Sequence, residues 1–257
     1  MSYVIAVAGK GGTGKTTFSA ISVSYLVRTT GKVVLAVDAD ANANLDLALG
    51  TRAENTIGSV REHLTENIKN MPAGMSKDTW VEMLLQQALV EEKGFDLISM
   101  GRPEGPGCYC YLNSIFRRYL DIMTGNYDYV VMDNEAGMEH LSRRTTTGVD
   151  IMFIASDPTV RGVETALRIR DLARELKLNI KNMALVFSRV RNGLPDNLRT
   201  IAEGGNLKIA GAVPDDDVLR EYDEKGEALS ELPASSAARQ AIEEILAAYV
   251  KTAGGGR

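Results

Sequence analysis

Residues 9–17 read GKGGTGKTT and satisfy the pattern G-x-x-x-x-G-K-[ST] as Gly9, Lys10, Gly11, Gly12, Thr13, Gly14, Lys15 and Thr16, with Thr17 following. Glycines so placed permit positive φ and let backbone N–H groups crowd around phosphate oxygens at a helix N-terminus. Lys15 is then the side chain that meets the β- and γ-phosphates of a nucleotide, and the Thr16 hydroxyl is a ligand for Mg2+. A second lysine at position 10 adds repulsion beside Lys15 in an empty loop. It makes chemical sense if it reaches another triphosphate across a two-fold axis, which implies a homodimer.

Carboxylates come next. Asp38 and Asp40 end the run KVVLAVD (32–38) and its continuation. Side chains two apart on a strand share a face, so both are expected to point at the crevice above the sheet. There a carboxylate orients an attacking water or holds Mg2+ through water. Capping of a helix that begins near Asn42 is the competing employment for either one. Asp133 closes a second buried run, YDYVVMD (127–133), and suits a Mg2+-bound water or Thr16 as its partner. The Ala136-Gly137 turn that follows offers a backbone N–H to a γ-phosphate, an arrangement that orders with triphosphate and relaxes after hydrolysis.

The only cysteines, Cys108 and Cys110, sit one residue apart behind a Gly/Pro-rich run, in GRPEGPGCYC. A disulfide within C-x-C closes a small ring strained against the usual Cα spacing. Burial as small hydrophobes is a common fate for isolated cysteine, but PEGPG is loop chemistry. As metal ligands two thiolates hold half of a four-coordinate site. The two-fold axis suggested by Lys10 supplies the other half.

The elements that position these groups alternate along the chain. Short apolar runs at 3–8, 32–38, 95–100, 127–133, 149–155, 183–188 and 207–213 read as buried strands, and helical periodicity fills the gaps, first over 16–28. Continuous apolar strands separated by helices predict an α/β fold, a mostly parallel twisted sheet with helices on both faces. No linker or repeat divides residues 1–257, so one domain is expected, least regular between Asn67 and Lys77. A net charge of −5 argues against nonspecific nucleic-acid binding. No run approaches the ~20 apolar residues of a membrane span. Two cysteines in so long a chain point to a reducing cytoplasm. The last helical pattern, with Ile242, Ile245, Leu246 and Tyr249 on one side, reads as packed on the body rather than as a membrane-surface helix. His63 reads as exposed or capping and Trp80 as packing; neither His140 nor the Arg143-Arg144 pair is assigned to catalysis.

The loop KGGTGKTT resembles the deviant Walker A sequence of the MinD/ParA/nitrogenase-iron-protein class, in which the lysine matching Lys10 contacts the partner subunit's nucleotide. GRPEGPGCYCYLNSIFR and DNEAGMEHLSRRT resemble the CooC-type nickel-insertion ATPases, which mature carbon monoxide dehydrogenase, or the close relatives that serve acetyl-CoA synthase. The likeness extends over most of the chain. It implies a MinD-like P-loop NTPase fold that hydrolyses ATP with Mg2+. Lys10, Lys15 and Asp40 would be catalytic, Asp40 serving the hydrolytic water and Asp38 supporting it. Asp133 and Thr16 would attend Mg2+, and Arg189, Pro214 and Asp215 the base. Cys108 and Cys110 of two subunits would hold Ni2+ or Zn2+. Hydrolysis would then loosen the dimer and deliver nickel to the apo-enzyme. Two departures stand out: Ala41 follows the second Asp where most members have proline, and Ser188 precedes Arg189 where the class has asparagine.

Two other functions share the phosphate loop. A MinD- or ParA-like positioning ATPase works on a membrane or DNA, which the acidic charge and weakly amphipathic C-terminus disfavour. A reductase resembling nitrogenase iron protein draws its two cluster ligands from separate segments rather than from a C-x-C pair.

Overall fold

The structure is a computed structural model; it describes residues 2–40, 44–67, 74–101, 118–119, 121–134 and 148–250. Cys108, Cys110, Ala41, Ala136, Gly137, His140, Arg143 and Arg144 lie outside them.

Eight strands form one sheet among the described residues: β1 (Tyr3–Gly9), β2 (Val34–Ala39), β3 (Leu89–Glu92), β4 (Phe95–Ser99), β5 (Tyr129–Asn134), β6 (Val149–Ser156), β7 (Ile180–Val190) and β8 (Lys208–Pro214). Their spatial order is β3-β4-β2-β5-β1-β6-β7-β8. Every neighbouring pair is parallel except the β3–β4 hairpin at one edge. The expected mostly parallel α/β sheet is what the chain builds. The edge hairpin is the element that periodicity missed, because Leu89–Glu92 is short and half polar, leaving no run to detect.

Alternation along the central strand explains why both faces need cover. Val4, Ala6 and Ala8 of β1 join one apolar cluster, and Ile5 and Val7 join the other. Strands buried on both faces cannot show a polar face, which is why they read as continuous apolar runs. Helix α1 (Lys15–Thr30) packs on one face with the C-terminal helix α8 (Ala237–Tyr249), whose Ile242, Ile245 and Leu246 are buried as expected. Between them in sequence lie α2 (Leu45–Leu49), α3 (Ile57–Asn67), α4 (Lys77–Gln87), α5 (Val160–Glu175), α6 (Asp196–Gly204) and α7 (Asp217–Lys225). Trp80 on α4 is buried in the opposite cluster beside α3, where His63 meets its ring edge-on at 6.2 Å. No helix among the described residues is long and apolar enough to cross a membrane.

The strand register sets the height of the acidic residues. Asp38 on β2 pairs in register with Asp133 on β5, and Asp133 pairs with Val7 on β1. The two carboxylates therefore stand side by side at the carboxyl edge of the sheet, level with the strand that feeds the glycine-rich loop.

Candidate functional site

The loop from Gly9 to Gly14 leaves β1 and turns directly into α1. Gly9 has φ 151°, and a Cβ there would come within 2.4 Å of the Ala155 carbonyl oxygen on β6. Only glycine lets the loop lie this close to the sheet. Gly12 (φ 74°) and Gly14 (φ 78°) occupy the left-handed region that L side chains avoid. Gly14 is the N-cap of α1; no side chain caps that end, and its first turn carries no acidic residue. The orphan N–H groups and the positive end of the helix dipole therefore face outward together, a ready anion site.

The loop is held open by its own carbonyl. The Lys10 oxygen accepts from the Thr13 hydroxyl at 2.7 Å, the Thr13 N–H at 3.3 Å and the Lys15 ammonium at 3.3 Å. Lys15 is 8% exposed, so its charge rests on one neutral acceptor inside the loop. A buried ammonium with so weak a partner gains much from an anion. Lys10 differs: its side chain is exposed and does not line the cleft that Lys15 lines.

Beside the loop, the Thr16 hydroxyl donates to Asp133 Oδ2 at 2.6 Å. Asp133 is 2% exposed, and its Oδ1 is buried without a hydrogen-bond partner. Burial pushes its carboxyl up to about 7, with the Asp38 and Asp40 charges adding and Thr16 and Lys15 opposing. A hydroxyl joined to a buried carboxylate with one oxygen unspent fits a hydrated divalent cation, which restores the ionised form. The donor set suits Mg2+.

Asp38 and Asp40 part company. Asp38 is fully buried; its Oδ1 accepts from the Asp40 N–H at 3.0 Å and its Oδ2 from the Leu45 N–H at 2.9 Å. Burial pushes its carboxyl up to about 6 even though both N–H groups favour the charged form. The expectation that both carboxylates point into the crevice is therefore corrected. Asp38 is spent on the Asp40 N–H and on the first N–H of α2, and Asp40, just past the end of β2, is half-buried. Neither acid is the N-cap of α2, a place that Asn44 takes, but Asp38 accepts from its first N–H.

A cleft of about 410 Å³ opens at the carboxyl ends of β6, β7 and β8, floored by Gly12–Gly14 of the loop and Lys15–Phe18 of the first turn of α1. Ser188, Arg189, Pro214 and Asp215 all line it, Ser188 against Gly14 and Arg189 against Gly12 of the loop. Their bonding differs from a base reader's. The Ser188 hydroxyl donates back to the Ser156 carbonyl at 3.3 Å. Asp215 accepts from Arg191 Nε at 2.8 Å and Arg220 Nη2 at 3.2 Å, and Arg191 first among these holds its carboxyl below the ordinary range. Sequence reasoning missed Asp216, which caps α7 by accepting from the Val218 N–H at 2.9 Å. It also anchors α8, accepting from the Ser236 hydroxyl at 2.6 Å and the Ala238 N–H at 2.9 Å. An acid directly before a helical pattern was the available signal. Asn134 was missed too; its amide donates to the Val7 carbonyl and ties β5 to β1 below the loop.

A glycine loop at a helix start, an acid on the next strand and a cleft at the switch in strand order define a phosphate-loop nucleotide-binding protein. The model of the CobQ/CobB/MinD/ParA nucleotide binding domain matches residues 4–229, and the chain belongs to that family of P-loop ATPases. It is 41% identical over 244 residues to an uncharacterized ATP-binding protein of Methanocaldococcus jannaschii, covering 94% of this chain and 96% of that one. It is 30% identical over 262 residues to the carbon monoxide dehydrogenase accessory protein CooC of Rhodospirillum rubrum, covering 97% of each. Among solved structures, the septum site-determining protein MinD of Pyrococcus horikoshii, complexed with Mg-ADP, superposes with a TM-score of 0.71 at 18% identity. That match covers 99% of this chain and 98% of the other.

Proposed function

We propose that this chain is a Mg2+-dependent ATPase, one domain over residues 1–257, that acts as a metallochaperone. Two copies would hold one Ni2+ or Zn2+ through Cys108 and Cys110, and ATP hydrolysis would drive insertion of nickel into apo carbon monoxide dehydrogenase or acetyl-CoA synthase. The observation that carries this reading is the 30% identity to CooC over 97% of both chains, in a sequence whose whole thiol inventory is a C-x-C pair.

The chain's own residues supply the nucleotide half of the cycle. Lys15 exchanges its single carbonyl partner for phosphate oxygens, which satisfy the charge better. Thr16 and Asp133 hold Mg2+, which when bound neutralises developing phosphate charge. Asp38 fixes the backbone N–H of Asp40, and Asp40 orients the hydrolytic water. Lys10, exposed outside its own cleft, is available to the partner's nucleotide. Closing the dimer gathers four thiolates, and opening it leaves two on each chain. A few kcal/mol of differential affinity between the two states is enough to move the ion. The cargo site and the ATP site thus share one equilibrium, in the reducing cytoplasm.

Replacing both Cys108→Ser and Cys110→Ser tests the reading. Wild-type protein with ATP should elute as a dimer carrying one Ni2+ per two chains, and the double variant should lose the metal while keeping nucleotide affinity. Full nickel binding by the variant refutes the cargo site. Nucleotide-dependent co-sedimentation with liposomes or DNA would instead favour a positioning ATPase.

A further inference from the structure

Arg189 is an unusual residue in an unusual conformation. It sits in the irregularity of β7 between Phe187 and Val190, where the register to β8 shifts. Its φ is 55°, one of three positive values at non-glycine residues among those described. A side chain there is strained relative to glycine, and such strain gathers at sites whose function over-determines it. What the conformation achieves is visible in the side chain. Arg189 Nη2 lies 3.9 Å from the position a Cβ on Gly12 would occupy, so the guanidinium overhangs the phosphate loop.

The neighbouring charges do not explain this placement. Arg191 and Arg220 are both bonded to Asp215, and Asp216 is consumed by Ser236, Ala238 and Val218. Among the described residues Arg189 makes no ion pair, although Asp215, Asp216 and Asp223 line the same cleft. A cation that pairs with none of the cleft's carboxylates and reaches over a helix N-terminus adds to the positive field there. The Ser188 hydroxyl beside it is turned away to Ser156.

We propose that Arg189 binds the nucleotide through its phosphates, independently of the base, as a second cation over the phosphate loop beside Lys15. This assigns it differently from the base contact that sequence likeness implied. Its planar fork suits two phosphate oxygens, and its reach over Gly12 puts it on the loop and not at the Pro214 end of the cleft. The inference rests on the nucleotide-site reading above.

The test compares Arg189→Asn, which tolerates positive φ while removing the charge, with Arg189→Lys and Arg189→Gly. Titration calorimetry with Mg2+ measures affinity for ATP, GTP and inorganic tripolyphosphate. Arg189→Asn should weaken all three by about tenfold to a hundredfold, the worth of a charge-assisted contact, and Arg189→Lys should fall between. Tripolyphosphate bound as tightly by Arg189→Asn as by wild type, with ATP alone weakened, overturns the proposal in favour of a base contact. Arg189→Gly should melt about 2 °C higher without nucleotide, as relief of backbone strain demands. A lower melting temperature would remove the strain argument. If wild-type protein binds none of the three ligands, the nucleotide site itself is refuted, a different failure.

Discussion

Asp133→Asn separates what the buried acid does for the fold from what it does for the ligand. In the unfolded chain Asp133 ionises near 3.8; in the fold burial raises it to about 7. Between those values the folded protein keeps a proton that the unfolded chain has released. Its contribution to stability is therefore full below 3.8 and is lost as pH climbs through 7. At about 1.4 kcal/mol for each tenfold in the ionisation constant, the ionised form carries a burden of about 4 kcal/mol. Asparagine carries none, and its carbonyl still accepts from Thr16. Its amide, however, meets the buried position where Oδ1 lacks a partner, which costs about 1–3 kcal/mol. The nucleotide-free variant should thus be more stable than wild type by about 1–3 kcal/mol at pH 8, or about 2–6 °C in melting temperature for a chain of this size. At pH 4.5, where folded wild type is protonated too, only about 1 kcal/mol of that burden remains, so the variant should be no more stable than wild type and less stable by up to about 2 kcal/mol. Differential scanning fluorimetry across pH measures this. In the same assay wild type should gain stability from Mg2+ and ATP, and the variant little. An advantage that does not depend on pH, or a variant less stable than wild type at pH 8, refutes the reasoning.

Gly9→Ala should abolish nucleotide binding and destabilise the fold by about 2 kcal/mol or more, since its Cβ would strike the Ala155 carbonyl at 2.4 Å; near-normal affinity by calorimetry would contradict the geometry of the loop. Asp38→Ala should leave the Asp40 and Leu45 N–H groups without their acceptor, so amide exchange at both should quicken and phosphate release slow, while ATP affinity changes little. Unaltered exchange at Leu45 would show that Asp38 is not the tether.

The sheet was legible because strands buried on both faces have no choice but to be apolar, and the phosphate loop because its glycines are demanded by backbone geometry that few other sequences satisfy. Asp133 could be placed from the sequence for the same reason: an acid ending a buried strand must have a partner. Asp38 and Asp40 could not be told apart, since their division of labour depends on whether the Leu45 N–H lies within reach, and that depends on how the chain turns after Ala39. The Pro214–Asp216 turn suffered similarly. Asp215 and Asp216 are adjacent and alike in type, but one faces Arg191 and Arg220 while the other anchors α8 through Ser236. Contacts over twenty residues of chain carry no local pattern. Arg189 was picked out for its neighbourhood in the sequence, but its reach towards Gly12 follows from a left-handed φ that no arginine advertises.

The shared register of Asp38 and Asp133 has an evolutionary corollary. Deleting or inserting one residue in either strand would slide one acid by about 3.3 Å and throw it to the opposite side of the sheet. Descendants of this chain are thus free to lengthen or trim the connections leading into β2 and β5, but not the strands themselves. Two acids separated by 95 positions of sequence are, for the purpose of indels, a single inherited unit.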